Sequence, residues 1–213
     1  MNEKHRSRIY SLWFGRLALM GVLFFFLVSA ALQFLRPDYS FMGTPLSFYL
    51  LGPHGVWLHI AFYALAVAIA LLAVGCYIGS ARQARTAATL VLFILGALGV
   101  VVTAISPTDT TDRLTLYGAV HVAAAALAFL ATSVAMLVQS WRFRQDSRWR
   151  LHSCAAMELA VFEFIVLWFY ALVHYPARGF MEKLTILLIL IWLTLVAWWL
   201  QLPPARIHAS RPL

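Results

Sequence analysis

The chain has 213 residues, of which 63% are apolar and only 11% charged, and its mean hydropathy is +0.83. A soluble fold of this size has too little interior to hide so much apolar surface, so lipid must be the solvent for much of it. The net charge of +8 does not point to nucleic acid, because no basic run is interleaved with aromatics on a soluble domain. It fits basic loops that flank membrane spans, fix their topology and attract anionic headgroups.

A helix needs about twenty apolar residues to cross the hydrocarbon core. Six stretches meet that length: Leu17–Leu35, Val56–Ile78, Ala87–Ile105, Ala119–Val138, Ala155–Val173 and Leu184–Leu200. None alternates in polarity as a barrel strand would, and lipid leaves the backbone only those two solutions. The expectation is an all-α integral membrane bundle of six transmembrane helices, forming one domain over residues 1–213. Met1–Arg8, the apolar run after it and Val28-Ser29-Ala30 together resemble a signal peptide with its cleavage site. The run is long enough to span, so an uncleaved first helix is expected.

Lys4, Arg6, Arg8, Arg16, Arg82, Arg85, Arg142, Arg144, Arg148, Arg150, Arg206 and Arg211 fall on one side of these spans. The other side holds Arg36, Arg113, Arg178 and Lys183 together with Asp38, Asp109, Asp112 and Glu182. The positive-inside bias therefore places both termini in the cytoplasm, N-in and C-in. Cys76 and Cys154 lie near cytoplasmic span ends, have no metal-ligand spacing, and read as small packing residues.

The first outer loop, Arg36–Gly55, carries Pro37, Gly43, Pro45, Gly52, Pro53 and Gly55 and is expected to turn repeatedly. Its apolar run Leu46–Leu51 is expected either to pack into the headgroup region or to fold back over the bundle. In the second outer loop, Thr111 reads as a helix N-cap with Asp112 in the first turn. Beyond it His121 falls inside the fourth span, on a face shared with Leu114, Tyr117 and Gly118, where the glycine lets a helix or ligand come close. His174 and Tyr175 read as part of an aromatic belt.

Ionisable groups inside spans are expensive and so are candidates for function. Glu163 lies midway along the fifth span. Glu158, about 140° away around the helix, cannot pair with it on one face. His59 sits about one turn inside the second span, after His54, as an interfacial anchor or an acid–base group. Ser47, His54, His59, Asp109, His121 and Glu182 all fall at one depth near the outer surface, which is the pattern of a convergent site.

Three runs carry a family resemblance: Pro45–Gly55 (PLSFYLLGPHG), Ser106-Pro107-Thr108-Asp109 followed by Gly118-Ala119-Val120-His121, and Gly179-Phe180-Met181-Glu182-Lys183. Together they resemble the domain-of-unknown-function 998 (DUF998) family of small, mostly bacterial six-helix membrane proteins. The Asp…Gly-x-x-His element is the most specific part, and Lys183 stands where the family often has arginine. The resemblance implies a fold and a multi-pass protein of a bacterial inner (plasma) membrane, but no activity.

The leading functional expectation is a lipid-active or lipid-binding protein with its polar site near the outer leaflet. His121 with Asp109 or Glu182 would act as general acid and base, or as metal ligands with His54 or His59. Ser47, His54, His59, Tyr117 and Glu163 would contact substrate. No HExxH or GxSxG signature is present, so no metal or cofactor is assigned. A haem would require His59 and His121 to face each other across helices. The alternatives are a proton-coupled small-molecule transporter with Glu163 at the midplane, or a non-catalytic membrane subunit. Membrane lipids are the expected partners, and the oligomeric state is open.

Overall fold

A bilayer offers the backbone no hydrogen-bond partners, so each span must satisfy its own N–H and C=O groups. The computed structural model, which describes residues 3–110, 115–172 and 177–202, meets this with six helices. They are α1 (Glu3–Leu35), α2 (Gly55–Gly79), α3 (Ala87–Ile105), α4 (Leu116–Phe143), α5 (Ser153–Leu172) and α6 (Arg178–Trp199). Among the described residues there is no strand, and all six helices are long and apolar enough to cross a membrane. Below, the end of the bundle holding Glu3 and Leu202 is called proximal, and the opposite end, holding residues 36–54, distal.

The apolar stretches mark the centres of these helices, and several helices overrun them. α1 begins at Glu3 rather than Leu17. Glu3–Arg16 has no proline and a single glycine, so nothing in that segment stops a helix where the hydrocarbon ends. α4 continues past Val138 to Phe143, and α6 begins at Arg178, which puts Glu182 and Lys183 inside its second turn. The N-cap of α4 is Thr115 and not Thr111. Thr111, Asp112, Arg113 and Leu114, like His174, Tyr175, Arg206 and Arg211, lie outside the described residues.

Each helix packs on its neighbours in the chain, and α6 closes onto α1, so the six form a ring. Hydrocarbon gives helices no hydrophobic reason to associate, and small residues that let backbones approach take over that role. A Cβ at Gly21 would lie 2.8 Å from the Ala64 carbonyl oxygen, joining α1 to α2. One at Gly15 would lie 2.8 Å from the Ala197 carbonyl oxygen, joining α1 to α6. One at Gly99 would lie 2.7 Å from the Ala128 nitrogen and 2.9 Å from the Ala124 carbonyl oxygen, joining α3 to α4.

A ring of six helices leaves a gap on its axis. In the proximal half large side chains fill it. Trp192 and Phe93 lie 5.9 Å apart, Phe143 and Trp149 stack at 5.3 Å, and all four are buried beside Met136. The Trp192 indole N–H is shared between Ser140 Oγ (3.2 Å) and the Ala156 carbonyl (3.1 Å), so its polar edge is satisfied. At the proximal end, Arg142 donates to the carbonyls of Gln83, Ala84 and Arg85, and Arg148 donates to those of Leu200 and Leu202. These arginines tie helix ends together as well as biasing topology.

The distal loop does not lie flat in the headgroup region. Leu46–Leu50 forms a 3₁₀ turn that buries Leu46, Tyr49 and Leu50 within the bundle. Arg36, nearly buried itself, pairs with Asp38 at 2.7 Å, donates to the Leu51 carbonyl at 2.7 Å and covers the Tyr39 ring. Lys183 on α6 donates to the carbonyls of Thr44 (2.6 Å) and Phe41 (2.9 Å), and the Phe180 N–H donates to the Met42 carbonyl. The loop is thus fastened to α1 on one side and to α6 on the other.

The close α3–α4 contact predicts that Gly99→Leu forces those helices apart, at a cost of about 1–3 kcal/mol typical of overpacking. Thermal denaturation in detergent is expected to show a clear loss of stability. Leu98→Ala, one residue along at an exposed position, should leave the transition nearly unchanged.

Candidate functional site

The Asp…Gly-x-x-His element resolves into a clamp between the turn after α3 and the first turns of α4. Asp109 accepts from the Thr115 backbone N–H (2.8 Å) and from the Thr115 hydroxyl (2.7 Å), so each carboxylate oxygen has a donor. The same Thr115 oxygen accepts from the Gly118 N–H at 3.0 Å and caps the helix. A Cβ on residue 118 would collide with the Asp109 carboxylate, which explains the glycine. One turn further, His121 Nδ1 lies 2.7 Å from the Ser106 carbonyl oxygen. A carbonyl only accepts, so Nδ1 carries a proton, and in the neutral ring Nε2 is the nitrogen with the lone pair.

His121 also lines a cavity of about 870 Å³ that occupies the axis of the ring in its distal half. Ligand sites of this kind run to about 300–1,000 Å³. The distal end of the cavity is polar, with Ser47, Thr108, Asp109, His121, Tyr170, Arg178 and Glu182 in its wall. Its shaft is apolar, lined by Phe62, Leu65, Ile69, Val100, Leu167, Ile186, Ile189 and Leu190. The space exists because α4 presents Ala125, Ala126 and Ala128 here, where lower down it presents Met136 and Phe143.

Two further dimensions matter. From His121 to Thr132, the lining residues of α4 at either end, the helix rises by about 16 Å. That is about half of a hydrocarbon core of ~30 Å, the depth of one leaflet. On the α4 and α5 side the lining includes exposed residues. Val122 and Leu130 on α4 and Trp168 on α5 line the cavity and are 59%, 44% and 50% exposed.

Of the residues singled out from the sequence, Ser47, Asp109, His121 and Glu182 meet in this cavity. His54 does not. It is exposed in the turn before α2, in the left-handed region at φ 66°. His59 is half-buried on α2 and does not line the cavity, so it does not face His121 as a haem pair would. Tyr117 is 68% exposed although His121 is buried. In the first turn of α4 its side chain tilts towards the helix N-terminus and clears the neighbouring helices. Glu163 is fully buried one turn below Leu167, outside the cavity lining, and accepts from Ser133 Oγ at 2.8 Å. Among the described residues no three His, Cys, Asp or Glu side chains are grouped to hold a metal.

Arg178 and Tyr170 belong to the site and were not singled out. Arg178 reads from the sequence as one more outer charge, and Tyr170 is one more residue of the apolar fifth span. Only packing sets both on the cavity wall, with the guanidinium of the still exposed Arg178 5.9 Å above the Tyr170 ring and Tyr170 against Phe129 at 5.7 Å.

The hydrogen bonds from Thr115 hold the Asp109 carboxyl below the usual carboxylate range. A group lowered in the folded state contributes stability above its unfolded pKa of about 3.9 and loses it as pH falls through the folded value. Asp109→Asn is therefore expected to be less stable than wild type at neutral pH, with the difference shrinking below about pH 4. Melting curves of both forms across that range check this.

No curated protein and no solved structure matches the chain. The family described as Protein of unknown function (DUF998) matches residues 19–199, from within α1 to the end of α6. The match takes in every element that builds the cavity, and this multi-pass membrane protein belongs to the DUF998 family.

Proposed function

We propose that the protein binds a lipid of the leaflet at its distal end, with the headgroup among His121, Arg178 and Glu182 and a tail in the apolar shaft. The observation that carries this reading is the form of the cavity. It is polar at the level of the headgroups, apolar for about one leaflet below, and lined on the α4 and α5 side by exposed residues. A soluble ligand has no use for an apolar shaft one leaflet deep inside the bilayer, whereas a lipid tail is matched to it in length and polarity. With the positive-inside bias, the leaflet is the outer one of the inner (plasma) membrane.

His121 extends the reading towards chemistry. With Nδ1–H held by Ser106, its Nε2 has the lone pair that a general base needs to deprotonate a water or a hydroxyl beside a lipid ester. Asp109, with both oxygens used on Thr115, serves in this reading to place His121 and does not act as its catalytic partner. The transporter reading rests on Glu163, which is enclosed between α4 and α5 outside the cavity wall, and the lipid reading is preferred for that reason.

Native mass spectrometry of the protein purified in mild detergent tests this. Wild type is expected to carry a lipid, and Ala125→Trp, which places an indole in the shaft, should lose about nine-tenths of it, a change of about 1.4 kcal/mol. The thermal transition should remain close to that of wild type, because Ala125 is only half-buried. A lipid-free wild type, or equal retention by the variant, would sink the proposal.

A further inference from the structure

The polar end of the cavity holds a cation and an anion that do not pair with each other. Arg178 and Glu182 are four residues apart on α6, so they share a helix face, and an acid and a base at that spacing ordinarily meet. Both line the cavity, yet among the described residues the ion pair present is that of Arg36 with Asp38. Arg178 is held over Tyr170 instead. Glu182 is 5% exposed, and its Oε2 has no hydrogen-bond partner. Its neighbour Lys183 turns the other way, to the carbonyls of Phe41 and Thr44. His121, also in the cavity wall, offers Nε2 as a second acceptor when its ring is neutral, because Nδ1 carries the ring proton towards Ser106.

We infer that the headgroup taken by this cavity is zwitterionic, a phosphate next to a primary ammonium, as in a phosphoethanolamine lipid; the inference rests on the lipid reading above. The phosphate suits the planar fork of Arg178, which matches two of its oxygens. The ammonium supplies N–H donors for the Glu182 carboxylate and His121 Nε2 and gives that carboxylate the ion pair it does not make among the described residues. A phosphocholine headgroup has the charge but no N–H, so both acceptors would stay unmet. A phosphoglycerol headgroup has O–H donors but no positive charge, so the Glu182 carboxylate would stay without an ion pair.

The test uses the full-length protein, stripped of lipid in detergent. Diacyl phosphoethanolamine, phosphocholine and phosphoglycerol lipids with identical acyl chains are offered in competition, and retained lipid is counted by native mass spectrometry. Phosphoethanolamine lipid is expected to be retained about tenfold over either competitor, the effect of one charge-assisted hydrogen bond. Glu182→Gln keeps the shape and should erase that preference while lipid is still bound. Arg178→Gln should weaken all three. Equal retention of the three headgroups by wild type, a preference for phosphoglycerol or phosphocholine, or an unchanged preference in Glu182→Gln would overturn the headgroup inference and leave lipid binding standing. Retention of no lipid of any class by wild type would overturn both.

Discussion

Six helices standing in a ring cannot fill their own axis, and the way this chain deals with that gap sets the rest of its structure. Below the middle of the bundle the gap is closed with Trp192, Phe93, Phe143, Trp149 and Met136. Above it, α4 offers alanines instead, and the gap stays open as a cavity. The bundle has a packed half and a hollow half, and the step between them lies along α4 between Thr132, at the cavity's end, and the buried Met136. Dispersion between close-packed side chains holds the first half together. The second half must be held in some other way.

Polar tie-bars do this at the distal rim. Lys183 fastens the first loop to α6, Arg36 fastens it to α1, and the Asp109–Thr115–Gly118 relay with the His121–Ser106 bond fastens the second loop to α4. Each joins a charged or ring group to backbone that would otherwise lack a partner, and this is why charges are tolerated there. The arrangement separates the polar residues into two sets. Asp38, Asp109, Arg36 and Lys183 are used in building the rim, while Arg178, Glu182 and His121 line the hollow.

Much of the fold was legible in the chain. Hydropathy finds all six helices, because a span needs a long apolar run and nothing else in a short protein resembles one. The helix ends were less legible, since hydropathy reports where the hydrocarbon stops, and a helix such as α1 does not stop there. The candidate site was half legible. Ser47, Asp109, His121 and Glu182 were recognisable as polar residues at one depth, and depth follows directly from position along a span. His54, His59 and Tyr117 share that depth but point elsewhere, because azimuth around the bundle axis depends on how each helix is rotated against its neighbours.

What the sequence alone determined is therefore the one-dimensional part of this protein: a lipid solvent, six helices, the level of each polar group and membership of a family. Those follow from composition and from distance along the chain. The tertiary structure decided which groups at a shared level meet. It set Arg178 and Tyr170 on the cavity wall, withdrew His59 and Tyr117, and enclosed Glu163 with Ser133. It also decided that three alanines in α4 leave a cavity and not a tighter bundle. Hydrocarbon imposes no hydrophobic preference for one helix rotation over another, so rotation is set by close contacts such as Gly99 on Ala128 and Gly21 on Ala64, and these appear only once all six helices are packed.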